Sequence, residues 1–238
     1  MTLHAKADLK VRLYDASLTA IAIVALLSIV EAGLQAHPQN RPEQRTGHLF
    51  PPQNLGLLES PDRDAWQKPE QIMDALGIAE GSKVADIGIG SGWFTIRLAR
   101  RIGPNGLVYA EDVQRQMLEA TRRRISREGL KNVQTILGTE TNPNLPPRTL
   151  DAILIVDTYP EVDDKNRVTF LRNLAAALKP NGRIGVVNYK PGQGGPGPAE
   201  NEGVRVDSSA VEADARAAGL RVLRRENLPF QYLMVLGR

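Results

Sequence analysis

The chain contains no cysteine. Disulfides, thiolate metal sites and cysteine nucleophiles are therefore excluded. Histidine is almost as scarce: the only three are His4, His37 and His48, all ahead of the region where regular patterning begins. A Ser-His-Asp triad or a His-ligated metal within residues 60–238 is ruled out, and no metal centre is expected. A general base in that region has to be Asp, Glu, Tyr or Lys. Charge of one sign is lacking too. The balance of 30 basic and 27 acidic residues leaves only +3, too weak a bias to argue for a nucleic-acid partner.

Long hydrophobic runs are absent but for one, LTAIAIVALLSIV at residues 18–30. It follows Lys6, Lys10 and Arg12, and small residues (Ala32, Gly33, Ala36) come after it. A membrane span needs about 20 apolar residues, so this shorter run fits a secretory signal peptide better. An uncleaved N-terminal membrane anchor and an ordinary helix are the alternatives for residues 1–36. Either export reading makes the protein periplasmic, exported or membrane-associated. It is cytoplasmic if the leader is not an export signal. Residues 37–63 are rich in Pro, Gln and Arg without periodicity, and read as a linker or surface-wrapping arm.

From residue 64 to 238 the chain reads as one domain. KPEQIMDALGI is a helix with Pro69 in its first turn and Gly77 at its end. Strand signals (KVADI, LVYAE, VQTIL, DAILIV, RIGVVNY) then alternate with helix signals (WFTIRLARRI, QRQMLEATRRRISRE, NRVTFLRNLAAAL, SSAVEADARAA), and RVLRREN and YLMVL close the chain. Alternation with several uninterrupted apolar strands predicts an α/β fold, a mostly parallel sheet with helices on both faces. Between Leu137 and Asp151 three prolines favour a loop where a helix is expected. The basic cluster Arg122, Arg123, Arg124 and Arg127 lies opposite the Met117/Thr121/Ile125 stripe and reads as a solvated helix face.

The chemistry concentrates in VADIGIGSGWFT, residues 84–95. Gly88, Gly90 and Gly92 occupy a strand-to-helix turn, where backbone can approach a ligand and a helix N-terminus faces it. The third glycine comes one place too early for the dinucleotide fingerprint G-x-G-x-x-G. Asp86, two residues before the first glycine, would repel a pyrophosphate but suits an ammonium or sulfonium group. Asp112 ends the next strand, where a carboxylate can grip ribose hydroxyls. The plainer alternatives are that the glycines only pack helix on strand, and that Asp112 caps the following helix.

At these residues the chain resembles the class I S-adenosylmethionine-dependent methyltransferases. VADIGIGSG is similar to their first motif, GLVYAEDVQRQML to their second-strand motif, LDAILIVDTYP to their fourth-strand motif and LKPNGRIGVVNY to their LKPGGR-type motif. DRDAWQKPEQIMDALGI resembles a bacterial subgroup often found behind export-like leaders. The resemblance implies a Rossmann-like seven-stranded sheet of order 3-2-1-4-5-7-6, its last strand antiparallel. It implies S-adenosylmethionine as cofactor, with Asp86 by the methionine moiety, Gly88, Gly90 and Gly92 against it, Asp112 on the ribose and Val113 beside the adenine. Thr139 and Glu140 fall at the adenine edge, where many relatives carry an aspartate in place of Thr139. Asp157, Thr158 and Tyr159 line the side where the methyl group leaves, with Tyr159 and Asp157 as candidate catalytic residues and Glu161 nearby. Tyr159 as plain packing is the alternative. Relatives often place a histidine after that tyrosine, and here it is Pro160.

The resemblance thus implies methyl transfer by in-line displacement to a small-molecule or lipid-like acceptor, for which alignment and water exclusion supply much of the acceleration. The arm before Trp66 and the KPGQGGPGPAENEG loop (190–203) are expected to enclose that acceptor, with Trp66 and Gln67 acting as a lid or as a staple. A non-catalytic nucleoside-binding protein of the same fold is the rival, suggested by Pro160 and the leader. An NAD-dependent oxidoreductase is disfavoured by the glycine spacing and by Asp86.

Overall fold

A computed structural model describes residues 49–198 and 205–238, within a compact unit that begins at Thr46. The expected leader, residues 37–48 of the arm and the tip of the 190–203 loop lie outside the described residues.

The described chain opens with a 3-10 turn, Pro52–Leu58, then two short helices, α1 (Arg63–Gln67) and α2 (Pro69–Ala75). Lys68 separates the helices with a left-handed φ of 53°. Pro69 then starts the second helix at the one position where its missing N–H costs nothing. The core follows as β1 (Lys83–Ile87), α3 (Trp93–Ile102), β2 (Leu107–Asp112), α4 (Arg115–Arg127), β3 (Val133–Leu137) and β4 (Leu150–Val156). It closes with α5 (Asp164–Ala177), β5 (Leu178–Tyr189), α6 (Ser208–Ala217), β6 (Arg221–Asn227) and β7 (Gln231–Gly237). No helix among the described residues is long and apolar enough to cross a membrane.

The seven strands form one sheet of order β3-β2-β1-β4-β5-β7-β6, parallel except for β7, which runs antiparallel to both its neighbours. This is the Rossmann-like arrangement expected. Two apolar layers bury its faces: Ile87, Ile153, Phe170, Leu171 and Val211 on one side, and Ile72, Trp93, Leu98, Leu154 and Val235 on the other. Burial on both faces is why the central strands are apolar throughout and do not alternate. The Lys179–Gly182 stretch, read from sequence as a helix stop, is looped out within β5. Leu178 pairs with Leu150 and the register resumes at Arg183 opposite Ala152. Winding reverses between β1 and β4, so a crevice is expected at their carboxyl ends. Those ends carry Asp86, the glycine turn and Asp157.

Candidate active site

All three turn glycines have left-handed backbones, with φ of 69° at Gly88, 51° at Gly90 and 78° at Gly92. Space excludes side chains as firmly as conformation does. A Cβ on Gly88 would fall 2.2 Å from Thr158 Oγ1, one on Gly90 2.8 Å from Leu58 Cδ1, and one on Gly92 2.9 Å from Thr121 Cγ2. The Thr158 hydroxyl lies within bonding reach of the carbonyls of Ile87 at 3.2 Å and Val156 at 3.1 Å, so it fastens the end of β4 to the turn. The N–H groups of Gly88 and Ile89 donate to the Glu111 carbonyl at 2.9 and 3.2 Å, which locks the turn to β2.

Two acids flank this turn. Asp86 is buried and accepts from the Thr95 hydroxyl at 2.6 Å. Burial pushes its pKa up to about 6, against the lowering effects of that hydrogen bond and of Arg63. Asp112, also buried, accepts from the Gln114 N–H at 2.8 Å and the Gly90 N–H at 3.3 Å. It therefore ties the turn to the start of α4, and Val113 lies half-buried beside it. Ser91, inside the turn, has a buried hydroxyl with no hydrogen-bond partner among the described residues.

The third acid stands across the crevice. Asp157 follows β4 with a left-handed φ of 55°, a conformation Asp tolerates better than most residues, and its N–H donates to Val187 at 2.8 Å. Its carboxylate takes both contacts of the Gln231 side-chain amide, at 2.9 and 2.7 Å. Desolvation raises its pKa to about 7, although Arg63, Gln231 and Arg205 favour the charged form. The residue as a whole is half-buried. Gln231 in turn accepts from Gln67 at 2.5 Å, and Gln67 from the Arg63 Nε at 3.0 Å. The Arg63 guanidinium lies 4.3 Å from the centre of the Trp93 ring, and desolvation depresses its pKa. Trp66 packs beside Tyr189 and Phe230, with ring centres 6.1 and 6.4 Å away.

Several expected residues are placed elsewhere. Tyr159, read as catalytic, is fully buried in the apolar layer beneath α5 and α6, and its hydroxyl donates to Asp214 at 2.7 Å. Burial and Asp214 together drive its pKa upward, so it makes a poor base. The plain-packing alternative describes it. Glu140 accepts the Asp163 N–H at 2.9 Å and braces the start of α5, while Thr139 closes a local turn with Asn142 at 2.8 Å. Arg124 does not share the solvated face of its cluster. It pairs with Glu59 and donates to the Ser91 carbonyl at 3.2 Å. Arg63 and Tyr189 lie inside the resembling stretches without a role assigned there, and Gln231 lies outside all of them, because packing alone brings each to Asp157.

Comparison with known proteins agrees with this geometry. Residues 84–182 match the family described as a methyltransferase domain. The demethylmenaquinone methyltransferase of Geobacillus sp. (strain WCH70) is 30% identical over 115 residues, 48% of this chain and 48% of that protein. A Pasteurella multocida ubiquinone/menaquinone biosynthesis C-methyltransferase is 31% identical over 118 residues, 49% of this chain and 43% of that protein. The chain thus spans about half the length of the curated relatives it matches. A crystal structure of a SAM-dependent methyltransferase from Aquifex aeolicus superimposes with a TM-score of 0.73 at 28% identity, covering 79% of this chain and 98% of that one. The [4+2]-cyclase SpnF, at 20% identity and a TM-score of 0.58, shares the fold alone. Residues 84–182 are thus similar to a methyltransferase domain, and the fold is similar to that of a SAM-dependent methyltransferase over 79% of the chain.

Proposed function

We propose that this protein transfers a methyl group from S-adenosylmethionine to a hydroxyl-bearing small molecule of the quinol or phenol type. The carrying observation is the trio of acids at the carboxyl ends of adjacent strands: Asp112 on β2, Asp86 on β1 and Asp157 after β4, around one glycine turn. The donor set fits the cofactor. Asp86 matches a cationic methionyl group, Asp112 is an acceptor for ribose hydroxyls, and the partnerless Ser91 hydroxyl adds a buried polar atom at the turn. When bound, S-adenosylmethionine supplies an electrophilic methyl carbon whose S–C bonding pair leaves with sulfur.

The chain's own residues then align and deprotonate the acceptor. Asp157, with its pKa near 7 and half-buried at the crevice, would take the acceptor's hydroxyl proton as that oxygen bonds to the methyl carbon and the S–C pair leaves with sulfur. Arg63 and Arg205 both act on Asp157 electrostatically, which disfavours a cationic acceptor and suits a neutral or anionic one. The names of the curated relatives support a quinone-type acceptor. On this reading residues 1–36 act as an export signal or anchor, which fractionation of tagged full chain tests.

Calorimetry on the full chain with S-adenosylmethionine, S-adenosylhomocysteine and NADH, beside Asp112→Ala, tests the cofactor. Micromolar binding of the sulfur ligands, lost in the variant, is expected. Labelled-methyl transfer to 1,4-naphthohydroquinone tests the acceptor class. A second reading, binding without turnover, is favoured by the engagement of Tyr159 with Asp214, which removes Tyr159 from the candidate bases. Tight cofactor binding with no transfer to any hydroxylated aromatic would establish it.

A further inference from the structure

The four side chains Arg63, Gln67, Gln231 and Asp157 join three distant parts of the chain: helix α1, the first residue of β7 and the end of β4. Their polarity is forced from both ends. A guanidinium can only donate and a carboxylate can only accept. Gln231 must therefore turn its NH2 to Asp157 and its carbonyl to Gln67. Gln67 must turn its NH2 to Gln231 and its carbonyl to Arg63. Both glutamines are completely buried, so no water can substitute for either partner.

We propose that Gln67 and Gln231 are positioning residues: a one-way amide relay from Arg63 that fixes the Asp157 carboxylate in one orientation as the acceptor of the substrate's proton. The assignment rests on the methyltransferase reading for its chemical purpose, but the relay itself is testable without it. Neither glutamine has to touch the acceptor. Each NH2 has a single fate, and the last one holds both carboxylate oxygens. When Asp157 gains a proton on one oxygen, Gln231 still donates to the other, so the side chain stays in place through the transfer.

The groups facing Asp157 are few. Arg63 from α1 and Arg205 from the segment before α6 favour its charged form. Tyr189 at the end of β5 and Tyr232 on β7 have phenols that feel the Asp157 charge and are pushed upward by burial, Tyr232 to about 12. Neither phenol ionises in the range where Asp157 titrates. The Tyr189 backbone N–H also favours the charged form, so a change in the Asp157 midpoint reports on the relay where that hydrogen bond and the two guanidinium groups are left in place.

The decisive variant is Gln67→Glu. Its ionised carboxylate still accepts from Arg63 but has no proton to give Gln231, which must then turn its NH2 away from Asp157 and present its carbonyl there instead. The polarity reverses with almost no change in shape. The measurement is a carbon-13 NMR titration of the Asp157 carboxyl in the full chain, assigned with Asp157→Asn. Gln67→Glu and Gln231→Leu are expected to raise the midpoint by about one unit relative to wild type, and Gln67→Leu by less. A midpoint in folded Gln67→Glu within about 0.3 unit of wild type overturns the relay. If Gln231→Leu fails to fold, Gln67→Leu decides beside Gln67→Glu, because it removes the donor to Gln231 without adding a charge, and an unchanged midpoint in folded Gln67→Leu also overturns the relay. Calorimetric titration of wild type with S-adenosylhomocysteine runs in parallel. Its failure would remove the methyltransferase reading and leave the relay result standing.

Discussion

Leu58 lies directly over Gly90, with its Cδ1 2.8 Å from the position a Gly90 Cβ would take. The contact belongs to a strap of chain fastened at four points. The Phe50 N–H donates to Glu161 at 3.2 Å, the Phe50 carbonyl accepts from Gln114 at 3.0 Å, Leu58 accepts from Arg63 at 2.7 Å, and Glu59 pairs with Arg124. The described part of the arm is thus held to the strand ends around the glycine turn. Gly90→Ala is expected to cost about 2 kcal/mol, partly from the left-handed φ and partly from the collision with Leu58. In a Leu58→Ala background the same substitution should cost about 1 kcal/mol less. Urea denaturation of the four proteins closes this cycle, and strict additivity would show that Leu58 is not the obstacle.

On the proposed function, the protonation of Asp86 should set the pH dependence of S-adenosylmethionine binding. Burial pushes its carboxyl up to about 6 from the usual 3.8. A cationic ligand favours the ionised form, so binding draws a proton off Asp86 wherever the pH lies below that value. The affinity for S-adenosylmethionine should therefore be flat above pH 7 and fall by up to about tenfold per unit below pH 6. Asp86→Asn should bind more weakly throughout and lose that slope. A slope that survives in the variant would assign the titration to another group.

Much of this was legible in the sequence because the signals are local. Strands punctuated by Gly, Pro and Asn, and an acid-glycine turn within twelve residues, need no knowledge of packing. The relay was not legible, since Gln231 meets Asp157 across a separation of 74 positions that only the antiparallel pairing of β7 with β5 closes. Gln67 reads from the sequence as lid or staple, and its bond to Gln231 ties it to β7. Arg124 could have been placed better. It stands seven residues after Met117 and three after Thr121, hence on their helix face, and its apolar stem allows a half-buried path to Ser91. Tyr159 could not have been, because the direction of a side chain in a single 3-10 turn follows no sequence period.

Asp157 carries a stability cost that can be measured without any ligand. Its folded pKa, about 7, is raised above the ordinary 3.8, so the native state holds the neutral form preferentially. The corresponding stability is fully present below about pH 4 and is lost as the pH rises to 7. Asp157→Asn keeps an acceptor for Gln231 and tolerates the left-handed backbone. It should be more stable than wild type by about 1–3 kcal/mol at pH 8, a range discounted for the residue's partial exposure, and equal to it near pH 4. Denaturant midpoints at the two pH values test this. An advantage that does not shrink toward pH 4 would mean the gain comes from something other than charge.

Tyr159 and Asp157 are two residues apart in sequence, yet the structure gives them opposite parts, and paired substitutions should separate them. Tyr159→Phe removes a hydroxyl that is bonded to Asp214 and turned away from the crevice, so stability should drop by about 1 kcal/mol. The ring remains to fill the apolar layer, and the strand end that carries Asp157 is undisturbed. S-adenosylhomocysteine affinity and any methyl-transfer rate should therefore stay within about twofold of wild type. Asp157→Asn should leave that affinity similarly unchanged but lower the transfer rate by about a hundredfold or more, the usual scale for losing a general base. The discriminating result is the rate of Tyr159→Phe. A hundredfold loss there, with stability unchanged, would restore the tyrosine to the chemistry and require the Asp214 contact to break during turnover.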